Sequence, residues 1–121
     1  MVRFFTGFGY AFRGIYITFR SERNFKIHII AMLLSIALGL FIGLSLSEWG
    51  FVIFAIGFVM VSELFNTAVE RLSDKIASGE QNQLIRMVKD ISAGGVLLSA
   101  LTALAIGIIF LFIPLWVKIF G

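Results

Sequence analysis

Between Ile91 and Ile113 the chain carries no charged residue, and two further runs without Asp, Glu, Lys or Arg, Ile27–Leu46 and Trp49–Ser62, precede it. A membrane helix needs about 20 predominantly apolar residues, so a chain of this length has room for three of them and one short extra element. The surrounding composition agrees. Of 121 residues, 60% are hydrophobic and 14% are charged, outside the range of a soluble domain. These runs predict an all-α integral membrane protein with a surface helix at 1–20, membrane helices at 27–46, 49–74 and 90–113, and a cytoplasmic loop at 75–89. One copy of so small a bundle offers little room for a closed site, so an oligomer is expected.

The N-terminal segment is not read as a signal peptide, because it lacks a continuous apolar core and a cleavage pattern. On a helical wheel Phe4, Phe5, Phe8, Phe12, Ile15, Tyr16 and Phe19 fall in one sector, while Arg3, Thr6, Tyr10, Arg13 and Arg20 oppose them. A basic, aromatic amphipathic helix of this kind suits the membrane interface. It also suits packing on its own bundle. Ser21–His28 is a polar hinge in which Glu22 sits amid Arg20, Arg23 and Lys26, a setting for a local salt bridge. His28, a lone histidine at a helix start, is assigned no chemistry.

The first span contains Gly39 and Gly43, spaced to permit close helix contact, and Pro114 is expected to end the third. Trp49 and Trp116 mark interfaces. Nine of the ten Lys and Arg lie in the N-terminal segment or between Arg71 and Lys89. The positive-inside rule puts both regions on the cytoplasmic side and leaves Lys118 outside. There is no cysteine, which excludes disulfides and thiolate metal sites.

The second span runs without a breaker into Glu63-Leu64-Phe65-Asn66-Thr67-Ala68-Val69-Glu70-Arg71-Leu72-Ser73-Asp74. At about 100° per residue, Glu63, Glu70 and Asp74 fall within about 20° of one direction, with Asn66 and Thr67 flanking them. Trp49–Ser62 covers only about 21 Å, so Glu63 belongs near the far interface while Glu70 and Asp74 project into water. An ionisable residue at membrane depth is a functional-site hypothesis by default. Clustered carboxylates suit a hard cation such as Mg²⁺, and one left free of metal can act as a general base. The alternative is a polar helix face paired with Lys or Arg elsewhere. Asp90, near the start of the third span, also suits a capping role.

Carboxylates for Mg²⁺, a lysine at 89, a candidate base at lipid depth and an interfacial helix fit phosphoryl transfer to a lipid alcohol, a reaction that needs little beyond positioning, charge neutralisation and a base. Spacing alone does not single that reaction out. The pattern Glu63-x-x-Asn66-Thr67-Ala68-Val69-Glu70-x-x-x-Asp74, with Lys89-Asp90 and the Glu22-Arg23-Asn24-Phe25 hinge, closely resembles the prokaryotic diacylglycerol kinase family over essentially the whole chain. It departs at Phe65 and Ser73, where aliphatic residues are more usual, and in lacking a histidine after the acid at Glu80.

The resemblance implies a homotrimer of three-span subunits with active sites shared between neighbours, in a bacterial cell membrane with its site and N-terminus cytoplasmic. It implies Glu63 as the base on the lipid hydroxyl and Glu22 and Glu70 as ligands of the Mg²⁺ carried by ATP. It gives Asn66, Lys89 and Asp90 the phosphates and the catalytic face. Arg3, Tyr10 and Glu80 would help hold the nucleotide, with Asp74 a weaker candidate on the same face. One branch of the family phosphorylates diacylglycerol. The other, found in Gram-positive bacteria and resembling Asn24–His28, phosphorylates undecaprenol, and that branch is preferred. Outside the class stand a small proton-coupled transporter, which calls for four spans and an isolated midplane acid, and a purely structural membrane subunit.

Overall fold

The computed structural model describes residues 1–77 and 82–121. All its regular structure is helical: α1 (Val2–Ser21), α2 (Arg23–Ile42), α3 (Leu46–Ala77), α4 (Gln83–Gly107), a π-helical segment (Ile108–Phe112) and α5 (Ile113–Phe120). Among the described residues three helices are long and apolar enough to cross a membrane: Arg23–Ile42, Leu46–Ala77 and the continuous run Gln83–Phe120.

The junctions follow from local chemistry. A single extended residue, Glu22 (φ −104°, ψ 116°), separates α1 from α2. Lys26, one turn into α2, lies 6.0 Å from the centre of the Phe19 ring on α1, a cation–π contact across the bend. Helix α2 ends at Gly43, whose φ of +80° is the left-handed value that costs glycine least. The Gly39 carbonyl accepts from both Gly43 N (3.0 Å) and Leu44 N (3.2 Å) to close the turn. Helix α3 opens on a reciprocal capping box: Ser45 N donates to Glu48 Oε2 at 2.7 Å and Glu48 N donates to Ser45 Oγ at 3.3 Å. The Asn82 side chain caps α4 by accepting from Leu84 N at 2.8 Å.

The glycines of the first span therefore have separate uses. Gly43 supplies the left-handed turn, whereas Gly39 receives the Trp49 ring, which would stand 2.6 Å from a Cβ placed there.

Several helix limits differ from the sequence expectation. The segment 75–89 is not one loop, because α3 runs to Ala77 and α4 begins at Gln83. Asp90 consequently lies about two turns inside α4, and Asn82, not Asp90, is the cap. Pro114 does not end the third membrane helix. Proline lacks an N–H and crowds the carbonyl four residues back, and the chain meets this with the wider turn just before it, where Ile113 N donates to Ile108 O. The helix then continues to Phe120.

Helices α3 and α4 form the main packed pair, with Phe51 and Phe110 stacked at 5.0 Å between ring centres. The small core consists of Phe25, Val52, Ala55, Val59 and Leu111, together with the buried Ser99. Most other large apolar side chains are open, as expected where lipid or another protein surface takes the place of water.

Candidate active site

On α3 the buried residues Val52, Ala55, Val59, Glu63 and Thr67 form one stripe. At about 100° per residue that stripe continues through Glu70 and Asp74. The face that is apolar at the Trp49 end of the helix thus becomes acidic at the other. With 32 residues, α3 is about 48 Å long and outruns a hydrocarbon core of about 30 Å. The acids therefore sit in the second half of the helix, beyond its apolar stretch.

The three acids do not share one environment. Glu63 is buried at 4% exposure. Its Oε1 lies 3.0 Å from His28 Nε2 of α2. An ionised carboxylate only accepts, so with Glu63 charged the imidazole nitrogen is the donor. Glu70, about two turns along, is half-buried. Asp74 is exposed, and its Oδ1 accepts from Lys89 Nζ of α4 at 2.7 Å. An ion pair this open to water orients the two helices more than it stabilises them. Exposure thus rises along the stripe from Glu63 through Glu70 to Asp74, in the order the sequence leads one to expect.

Glu22 is brought to this region by the break between α1 and α2. Ser21 Oγ accepts from Arg71 Nη2 at 2.6 Å and donates to Ile17 O at 2.9 Å, with Glu22 Oε1 3.3 Å away. The bond from Arg71 to Ser21 ties the α1–α2 junction, with its half-buried Glu22, to α3. Among the described residues no group of three or more His, Cys, Asp or Glu is arranged to hold a metal alone.

Asn66 is half-buried one turn beyond Glu63, and its Oδ1 is the one buried side-chain polar atom without a hydrogen-bond partner among the described residues. An orphaned acceptor of this kind costs free energy unless something donates to it. Asn66 borders a shallow groove between α3 and α4, opposite Ser92 and Gly95. Asp90 is exposed and lines a separate opening with Asn82 and Arg86. Tyr10 and Arg71 face each other across an open cleft of about 600 Å³ between α1 and α3, whose walls include Thr18, Leu64 and Thr67. Arg3 is exposed near the free end of α1, and Glu80 lies outside the described residues.

The single chain thus brings together His28 with Glu63, Glu22 with the Arg71 end of α3, and Asp74 with Lys89, while Arg3 and Asp90 stay apart from that cluster. Sequence reasoning missed His28, Ser21 and Arg71. The register between α2 and α3 that pairs positions 28 and 63 is set by packing, and no local motif encodes it.

The fold is that of a multi-pass membrane protein, with an acidic face on the second half of α3. A sequence model described as prokaryotic diacylglycerol kinase matches residues 9–111. An undecaprenol kinase of Bacillus subtilis is 38% identical over 112 residues, covering 93% of this chain and 89% of the relative. A diacylglycerol kinase of Synechocystis is 32% identical over 108 residues, 89% of this chain and 62% of that longer protein. The chain belongs to the prokaryotic diacylglycerol kinase family, and it is a lipid kinase. That membership closes the transporter and structural-subunit alternatives.

Proposed function

We propose that the chain transfers the γ-phosphoryl group of ATP to the hydroxyl of undecaprenol, giving undecaprenyl phosphate, at the cytoplasmic face of a bacterial cell membrane. The observation that carries this reading is the buried Glu63, hydrogen-bonded to His28 where α3 passes out of its apolar stretch. A base placed there meets the hydroxyl of a lipid whose tail stays in the bilayer. The similarity to the Bacillus undecaprenol kinase supports the prenyl acceptor. Diacylglycerol is the second reading, favoured by the Synechocystis relative.

In this account Glu63 takes the hydroxyl proton as the alcohol oxygen attacks the γ-phosphorus, and ADP leaves in line. Glu22 and Glu70 hold Mg²⁺, which when bound neutralises phosphate charge. Lys89 and Asp90 position the phosphates. Asn66 steadies the reacting face, and its unpartnered Oδ1 is available to accept from a bound group. Arg3, Tyr10 and Glu80 help hold the nucleotide, with Asp74 beside them. Helix α1 lies in the membrane interface, its aromatic side in lipid and its arginines toward phosphate or water. Three copies form a homotrimer and share their sites, which accounts for Arg3 and Asp90 standing apart from Glu63 within one chain.

Purified protein in mixed micelles should move label from ATP to undecaprenol only when Mg²⁺ is present. Absence of any labelled lipid from an assembled preparation would refute the reading.

A further inference from the structure

The bond between His28 and Glu63 joins residues far apart in sequence and makes a specific geometric demand. Glu63 has two carboxylate oxygens, and a proton can leave the acceptor only to one that is free and fixed in direction. His28 Nε2 stands 3.0 Å from Oε1, and the side chains are 25% and 5% exposed respectively. The imidazole therefore occupies one oxygen and leaves the other for the substrate. The cavity beside the imidazole holds about 90 Å³, and apart from His28 the one side-chain donor among its lining residues is Ser35, about two turns further along α2. His28 also lies on the same rigid helix as the N-cap Glu22, so α2 fixes a carboxylate at its start and the donor to the base less than two turns later.

We propose that His28 is a positioning residue for phosphoryl transfer. Its Nε2–H holds Glu63 Oε1, so that Oε2 takes the proton when the acceptor O–H bond breaks, the new O–P bond forms and the bond from the γ-phosphorus to the leaving ADP oxygen breaks. This rests on the reading of Glu63 as the base. Loss of the donor lets the carboxylate turn. A displacement on the order of 1 Å in a reacting group costs about 100-fold in rate.

The test compares His28→Gln and His28→Met in the full-length protein, in mixed micelles, with undecaprenol and diacylglycerol as parallel acceptors. The Gln side chain can place an amide N–H close to where the imidazole Nε2–H stands, whereas Met fills the space without a donor. His28→Met should lower kcat by about 100-fold while the KM for ATP stays within about twofold. His28→Gln should recover kcat to within about fivefold of the parent, since it restores the donor. A purely structural role predicts instead that the two variants fall together, or that KM and assembly change with kcat.

Near-parental turnover of His28→Met would overturn the proposal. So would an equal loss in both variants while each remains assembled. If His28→Met fails to assemble, His28→Gln decides alone: an assembled protein with a 100-fold deficit overturns the proposal, and near-parental turnover upholds it. Glu63→Gln, measured alongside, separates the two claims. An active Glu63→Gln removes the base reading itself, whereas a silent Glu63→Gln with an unaffected His28→Met removes only the role of His28.

Discussion

Glu63→Gln is the sharpest perturbation the site offers. The two side chains are nearly isosteric, and the amide oxygen of Gln can still accept from His28 Nε2, so the 3.0 Å bond to α2 survives the change. Burial at 4% then works in favour of the variant, because a neutral amide with its oxygen satisfied is cheaper to bury than a carboxylate. Assembly and thermal stability in detergent should therefore stay close to the parent. The loss falls on chemistry. Gln cannot take the proton of the acceptor hydroxyl, and burial limits water as a substitute. General base catalysis contributes about 10²- to 10⁴-fold, equivalent to roughly 3–5 kcal/mol of barrier. Single-turnover transfer from labelled ATP, beside equilibrium binding of a non-hydrolysable analogue, separates the two quantities. The chemical step should fall by at least about 100-fold with analogue affinity within about twofold. Retention of more than about a third of the parental rate would remove Glu63 from the base role.

Glu22→Gln and Glu70→Gln should each raise the Mg²⁺ concentration needed for half-maximal transfer by about tenfold, since each removes one of two carboxylates; an unchanged Mg²⁺ titration would count against ligation. Mixing a Glu63→Gln chain with an Asp90→Asn chain should restore part of the activity if sites are shared, and mixed oligomers without recovery would place each site within one subunit. Gly39→Ala puts a Cβ 2.6 Å from the Trp49 ring, an overlap that should destabilise by about 1–3 kcal/mol. Pairing it with Trp49→Leu should recover part of that loss in a thermal melt, and additive losses would mean the contact is not what limits stability.

The helical architecture was legible because hydrocarbon admits few backbone solutions, and three long uncharged runs leave little choice. The acid stripe was legible too, since residues 63, 70 and 74 fall on one side of any straight helix. Helix ends were harder. The Ser45–Glu48 capping box starts α3 at Leu46, ahead of the expected Trp49, and the reach of α4 back to Gln83 depends on Asn82 as cap, a residue that equally suits a loop. Pro114 was expected to stop a helix, and only the π-helical turn before it lets the helix run on. At the site, the relative depth of the acids followed from helix length, whereas their partners did not. Glu63 and Asp74 share a helical direction, yet one is sealed against α2 and the other open beside Lys89. His28 stayed invisible for the same reason, since its meaning depends on a partner 35 residues away.

The central claim, a membrane kinase acting on a prenyl alcohol, is tested most directly by the ratio of kcat/KM for undecaprenol and diacylglycerol, measured in parallel in mixed micelles with labelled ATP and Mg²⁺. The account predicts Mg²⁺-dependent labelling with undecaprenol preferred by at least about tenfold, or about 1.4 kcal/mol in transition-state binding. A preference of the same size for diacylglycerol would contradict it, leaving the same catalytic face at work on a different lipid.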